Sequence, residues 1–248
     1  MSDTFFRTLA REAASAYPPR QRYARHFAFG KLTGDPAFAH VLRAGLVPDG
    51  SRVLDIGCGQ GLLCSLLLAS QARRRRGEWD ARWPAPPAMA RYAGIDLMAA
   101  DVERARAMTR HWHQAITGAP ECSYIAGDMR DIEYPRANVA VLLDVLHYVD
   151  YEAQAAILGR VRDALAPRGT LLLRVADESR TLRFRCTVLV DRVVMALRGH
   201  KLPRLWCRPI ASWRTDLERL GFAVEAAPMS EGTPFANVLL VARYDSAA

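Results

Sequence analysis

Hydrophobic positions along the chain change period in a regular way. Residues 4–16 place Phe5, Phe6, Leu9 and Ala13 at helical spacing, and Tyr17-Pro18-Pro19 stops the pattern. An aromatic and basic stretch, 23–36, then passes through Gly34-Asp35-Pro36 into a helical pattern carrying Phe38, Val41 and Leu42. The run 51–56 is short, aliphatic and β-branched, which predicts a buried strand. Leu62, Leu63, Leu66, Leu67 and Leu68 follow at the spacing of a helix packed on a sheet. The alternation continues with a strand over 92–95, a helix over 99–115 that turns Val102, Ala105, Met108 and Trp112 inward, and a strand over 124–126. Residues 139–143 are continuously apolar, as in a strand covered on both faces. A helix over 151–165, a strand over 170–175, a helix over 210–220 and a closing antiparallel pair, 222–226 with 238–244, complete the series. Strand and helix in turn predict an α/β fold on a mostly parallel sheet.

Two stretches break the rhythm. Residues 72–91 hold the arginine run 73–76 and three prolines, and read as an insertion loop whose charges form a solvated helix end. Residues 181–197 alternate arginines with aliphatic positions as an amphipathic basic helix, and 199–208 form an irregular arm. The organisation expected is an N-terminal helical cap over 1–45 and a main domain over 46–248, with the 72–91 insertion and a basic lid over 178–208.

At 248 residues the chain suits one α/β domain with additions. No uncharged apolar run approaches the ~18 residues of a membrane helix, and the first 17 residues mix acids with arginines, unlike a signal peptide. A cytoplasmic location is expected. The five cysteines are odd in number and lack metal spacing, so neither a disulfide framework nor a metal site is expected. The formal charge of +8 is carried almost wholly by arginine, since Lys31 and Lys201 are the only lysines. Between Glu178 and Arg208 eight basic residues stand against two acids, a field that favours an acidic partner or an anionic substrate.

Candidate chemistry centres on Val53-Leu54-Asp55-Ile56-Gly57-Cys58-Gly59-Gln60-Gly61. Glycines at a strand-to-helix junction let a ligand reach the backbone, and the first turn of the helix aims N–H groups at it. Tight turns also use glycines. Asp55 sharpens the signal, because an apolar strand does not carry a charge without a partner. A dinucleotide fold would rather show G-x-G-x-x-G with no acid there.

This stretch resembles the first motif of class I S-adenosylmethionine (SAM) dependent methyltransferases. Tyr92-Ala93-Gly94-Ile95-Asp96-Leu97-Met98, Ile125-Ala126-Gly127-Asp128-Met129-Arg130-Asp131 and the stretch from Val139 to Asp150 are similar to the later motifs, in the same order. The resemblance implies a Rossmann-like, seven-stranded sheet with helices on both faces, SAM as cofactor and S-adenosylhomocysteine (SAH) as product. It also implies a cofactor site of Asp55, Gly57, Cys58, Gly59, Gly61, Asp96, Leu97, Asp128, Met129 and Leu143. Asp96 would accept from the ribose hydroxyls, while Asp128 would accept from the adenine amino group and Met129 would pack on the ring. The alternative at Asp128 is an ordinary Asp-led turn. Asp144, His147 and Tyr148 would lie between cofactor and acceptor, with His147 the first candidate base and Asp144 the second; His147 could instead cap the following helix or bond Asp150. Cap residues Tyr23, His26, Phe27 and Lys31, together with Arg183 of the lid, are candidates for the acceptor pocket.

Four stretches beginning at His26, Asp144, Leu197 and Met229 further resemble methyltransferases encoded with bacterial aryl-polyene pigment pathways. The acceptor implied is a hydroxyaryl acid, free or presented by an acidic acyl carrier protein. Alternatives are another natural-product or carboxylate acceptor, or a SAM-binding regulator or partner subunit without transferase activity. A nucleic-acid substrate is disfavoured, since no Asn-Pro-Pro-aromatic stretch follows Val141.

Overall fold

The computed structural model describes residues 4–178, 205–230 and 236–244. By proximity the chain divides into two compact units, Met1–Ile132 and Glu133–Ala248.

The first unit runs α1 (Thr4–Ser15), α2 (Arg22–Gly34), α3 (Pro36–Arg43), β1 (Arg52–Ile56), α4 (Leu62–Arg75), β2 (Arg91–Asp96), α5 (Ala99–Ala115) and β3 (Glu121–Ala126). Its strands lie in the order β3-β2-β1, all parallel, with Val53 opposite Tyr92 and Tyr92 opposite Cys122. Asp35 starts α3 by accepting from the Ala37 N–H at 3.1 Å, and Pro36 takes the first-turn position where no N–H is needed. α4 is buried continuously from Leu62 to Ala72, Ser65 and Ser70 included. A helix covering a sheet ordinarily keeps a polar outer face. Here that face is taken by α1, where Ser65 Oγ donates to the Ala13 carbonyl at 2.8 Å. Trp112 of α5 in turn donates to Ser65 Oγ at 3.0 Å.

The loop expected over 72–91 starts later, because α4 absorbs residues up to Arg75. Arginines at a helix C-terminus complement its dipole, and Arg73–Arg76 form the expected solvated end of α4, with Arg74, Arg75 and Arg76 exposed. The remainder is pinned to α1. Trp79 and Trp83 meet the Phe5 ring at centroid distances of 5.2 and 5.6 Å, and Arg43 lies 4.7 Å over Trp83. Glu12 takes ion pairs from Arg73 and Arg76, each at 2.6 Å.

The second unit runs β4 (Ala137–Leu143), a 3-10 turn (Leu146–Tyr148), α6 (Tyr151–Ala164), β5 (Leu165–Ala176), α7 (Ile210–Arg219), β6 (Phe222–Pro228) and β7 (Asn237–Tyr244). Its order is β4-β5-β7-β6, with β4 and β5 parallel and β7 antiparallel to both β5 and β6. β5 begins at Leu165 rather than at 170. Ala137 already pairs with Leu165, and a register irregularity between Ala137 and Val139 takes up the extra residues. Gly169 permits this, since a Cβ there would stand 2.8 Å from the Ala166 carbonyl oxygen and 3.2 Å from that of Asn138.

The seven strands make the mixed sheet of an α/β fold, as the alternation of periods predicts. No helix among the described residues is long and apolar enough to cross a membrane. Most of the expected basic lid, with the 181–197 helix and Arg183, lies outside the described residues.

Candidate functional site

The glycine loop leaves β1 through three left-handed glycines, and two of them are required for different reasons. A Cβ on Gly61 would lie 2.9 Å from Met108 Cε and 3.1 Å from Ala105 Cβ, so close packing of α5 excludes a side chain. Gly59, at φ +54°, has nothing within 4 Å of that position. Open space therefore fronts its backbone, and a ligand can come against it. Asp96, at the carboxyl end of β2, braces the same loop: Oδ2 accepts from the Gly59 N–H at 2.7 Å and Oδ1 from the Met98 N–H at 2.8 Å. Beside it Leu97 is 65% exposed, an apolar surface next to a carboxylate. A carboxylate for hydroxyl donors, an apolar neighbour for a flat ring and an open glycine backbone suit a nucleoside.

Two predicted site residues are turned away from that opening. Asp55 is buried behind the loop, where it accepts from the Tyr92 hydroxyl. Burial raises its pKa to about 7, the Tyr92 hydrogen bond opposes this, and the charge of Asp96 adds to it. The Cys58 thiol packs toward Gly94, where a Cβ would be 2.8 Å from Sγ, so backbone rather than side chain fronts the opening at this position.

The cap reaches this loop through residues whose role the sequence reading missed. Tyr17 Oη donates to the Gln60 carbonyl at 2.9 Å, and Gln60 Nε2 donates to the Ala24 carbonyl at 2.8 Å. Both side chains are almost wholly buried. Of the cap candidates, Tyr23 is 63% exposed and stacks on Phe27 at 6.0 Å, His26 is exposed on the same helix, and Lys31 pairs with Asp35 at 2.8 Å.

At the end of β3 the geometry is that of the Asp-led turn. Asp128 accepts from Arg130 N at 2.9 Å, Nε at 3.0 Å and Nη2 at 2.6 Å, and its carbonyl accepts from Asp131 N at 3.0 Å. The Arg130 guanidinium holds this carboxyl below its usual range. Met129 sits half-buried in the same turn.

In the second unit Leu143 is half-buried at the end of β4, and Asp144 follows in a left-handed conformation, φ +59°. That conformation is unusual for a residue other than glycine. It is fixed by Arg174 of β5, whose Nε donates to Asp144 Oδ1 at 2.8 Å while Nη2 donates to Oδ2; the Asp144 N–H returns a bond to the Arg174 carbonyl at 3.2 Å. The Arg174 side chain is 1% exposed and that of Asp144 27%, so solvent meets the carboxylate and not the guanidinium.

His147 is buried in the 3-10 turn, its ring 4.2 Å from that of half-buried Tyr148. Burial lowers its pKa to about 4, with Asp144 opposing and Arg174 adding to the effect. The imidazole is therefore neutral at pH 7. His147 does not cap α6. Asp150 does, accepting from the Ala153 N–H at 2.9 Å.

Behind the turn, fully buried Gln154 donates through Nε2 to the carbonyls of Leu146 at 3.0 Å, Val149 at 3.1 Å and Trp206 at 2.8 Å. The Trp206 N–H bonds the His147 carbonyl at 2.8 Å, and Tyr151 Oη donates to the Cys207 carbonyl at 3.1 Å.

Residues 24–227 match a family model described as a methyltransferase domain. Among curated proteins, the carboxy-S-adenosyl-L-methionine synthase of Wolinella succinogenes is 32% identical over 141 residues, covering 56% of this chain and 50% of that protein. The protein of the same name from Pseudomonas syringae is 30% identical over 156 residues, with coverage of 62% and 56%. The chain thus spans about half the length of the curated relatives it matches. Among solved structures, magnesium protoporphyrin IX methyltransferase from Synechocystis with bound SAH superposes with a TM-score of 0.59 at 20% identity, covering 98% of both chains. An O-methyltransferase family 2 protein from Planctomyces limnophilus in complex with apigenin gives 0.59 at 19% identity, over 95% of this chain and 65% of that one. At these identities the likeness to the solved structures is one of fold.

Proposed function

We propose, for a chain that belongs to the methyltransferase-domain family and uses SAM as its cofactor, that the methyl group passes to a small hydroxyaryl acceptor. The acceptor is free or carrier-bound, of the kind used in aryl-polyene pigment synthesis, and the reaction is cytoplasmic. The observation that carries this reading is Asp144, a partly exposed carboxylate held by a buried guanidinium in a left-handed backbone at the end of β4. In parallel α/β sheets ligands sit beyond the carboxyl ends of the strands. A fixed carboxylate there is a hydrogen-bond acceptor and selects a partner that donates, as a phenol does.

When bound, SAM supplies a methyl group on a sulfonium, open to in-line displacement. The protein's share is positioning, worth roughly 7 to 11 kcal/mol of barrier in favourable cases. Asp96 and the open Gly59 backbone hold the nucleoside, with Leu97 and Met129 as apolar surfaces. Asp144 takes the hydrogen bond of the acceptor hydroxyl, aims its oxygen and receives the proton as the C–O bond forms. Neutral His147 packs with Tyr148 beside it and adds no competing positive charge. Tyr23 and His26 of the cap are the further acceptor contacts in this reading, with Arg183 of the lid.

Incubating the protein with SAM and a panel of hydroxyaryl acids, free and as carrier-protein thioesters, tests the reading. Methylated product and SAH in equal amounts are expected from hydroxyaryl acceptors and not from their O-methylated analogues. Binding of SAM without turnover on any acceptor would instead identify a non-catalytic SAM-binding protein. Docking of an acidic carrier protein rests on the charge of 178–208, and steep slowing with salt for the thioester alone is its signature.

The curated relatives favour a second reading, since their names describe synthesis of a carboxylated SAM. In that case the cofactor itself is remodelled. Mass spectrometry of the nucleoside product separates the two, as SAH or as a carboxylated sulfonium.

A further inference from the structure

Cys64 of α4 and Cys122 of β3 bring their sulfur atoms to 3.8 Å across 58 residues of sequence. The two thiols differ in access. Cys64 is fully buried, whereas Cys122 is half-buried and lines a cavity of about 310 Å³ together with Arg106, Thr109, Arg110, His113 and Tyr124. Through this opening a small electrophile can reach the Cys122 sulfur directly. No comparable route reaches Cys64, and burial also pushes its thiol pKa well up, so it cannot react first.

We propose that Cys64 and Cys122 are a thiol-oxidation site, with a hydroperoxide as the oxidant and a disulfide between α4 and β3 as the product. In the first step the Cys122 sulfur attacks the peroxide oxygen, the O–O bond breaks, and a sulfenic acid forms with release of water or an alcohol. In the second, the Cys64 sulfur attacks the Cys122 sulfur, the S–O bond breaks, and the departing hydroxide takes the Cys64 proton as water. Two thiols lose two electrons and two protons, and the peroxide is reduced. A disulfide has S–S near 2.05 Å, so each sulfur moves by roughly 1 Å, within reach of small side-chain rotations.

The pair lies in the same compact unit as the glycine loop. α4 begins at the glycine loop, and Tyr124, two residues beyond Cys122, lies against Gly94. Cys58 is excluded as the partner, because its thiol packs on Gly94 and donates to the Gly59 carbonyl at 3.6 Å.

The test titrates the reduced, folded protein with hydrogen peroxide, blocks remaining thiols, and maps peptides by mass spectrometry without reductant. The expected result is a Cys64–Cys122 cross-linked peptide, an intact chain lighter by two hydrogens, and reversal by dithiothreitol. Cys122→Ser should abolish the cross-link and Cys58→Ser should leave it. Cys64→Ser should strand Cys122 as a sulfenic acid that dimedone traps, which keeps the site testable if Cys122→Ser folds poorly. Both thiols remaining alkylatable at an excess of peroxide, or a cross-link that forms only through other cysteines, would overturn the proposal. So would over-oxidation of Cys122 with Cys64 still free.

Discussion

Tyr92 donates its hydroxyl to the carboxylate of Asp55, both side chains being sealed between the strands and helices of the first unit. Burial raises the Asp55 pKa from 3.8 to about 7, which ties stability to pH. An acid whose folded pKa lies above its unfolded value contributes stability that is complete below pH ~4 and is lost as pH rises through ~7. The loss is bounded by ~4 kcal/mol. Unfolding by urea from pH 4 to 8 should show this decline, and Asp55→Asn should flatten it. Tyr92→Phe removes the one hydrogen bond that favours the carboxylate and should carry the decline to higher pH.

The same bond bears on the cofactor. SAM brings positive charge to the loop in front of Asp55, which favours the ionised acid, so binding should release a proton below pH ~7. Calorimetry in buffers of different ionisation enthalpy measures that proton, and Asp55→Asn should abolish it.

Asp96 holds the Gly59 and Met98 amides at 2.7 and 2.8 Å, and its replacement acts twice. Asp96→Ala should weaken SAM binding by about 1.5 to 3 kcal/mol through lost charged hydrogen bonds, while the fold survives. Isothermal titration on the purified variant gives the number, and an unchanged affinity would place the ribose elsewhere.

Tyr17 and Gln60 offer a test of the cap. Tyr17→Phe leaves a buried Gln60 carbonyl without its donor, which should cost about 1 to 2 kcal/mol of stability. Because that carbonyl belongs to the glycine loop, SAM affinity should fall as well. Loss of stability with affinity intact would confine the clamp to folding.

For Asp144 and Arg174 the expectation is non-additive. Removing the acid leaves a guanidinium at 1% exposure without its carboxylate, and Asp144→Ala should cost about 3 to 5 kcal/mol. The double variant Asp144→Ala with Arg174→Met should recover much of that, because an apolar pair replaces a buried charge. Thermal melts of the three variants decide it.

What the sequence made legible is what lies along one element at a time. The period of each strand and helix, the G-x-G-x-G junction and the acids at 55, 96 and 128 are local signals, and each sits at the strand end expected of it. Contacts between elements were not legible in the same way. Tyr17 reads as a helix end before two prolines, and nothing in its neighbourhood announces a bond to Gln60, 43 residues on. Arg174 lies inside the strand expected over 170–175, and its meaning depends on Asp144 across the strand pair. The burial of His147 depends on the packing of the whole turn, in which Leu146 and Val149 are buried as well.

The described residues on either side of 179–204 are anchored. Asp177 bridges to Arg208, whose guanidinium lies 3.9 Å over Trp213, and Gln154 grips Trp206 with the same amide that holds the turn after β4. Gln154 is therefore a keystone, because one side-chain amide joins the turn after β4 to the chain at Trp206, 52 residues further on.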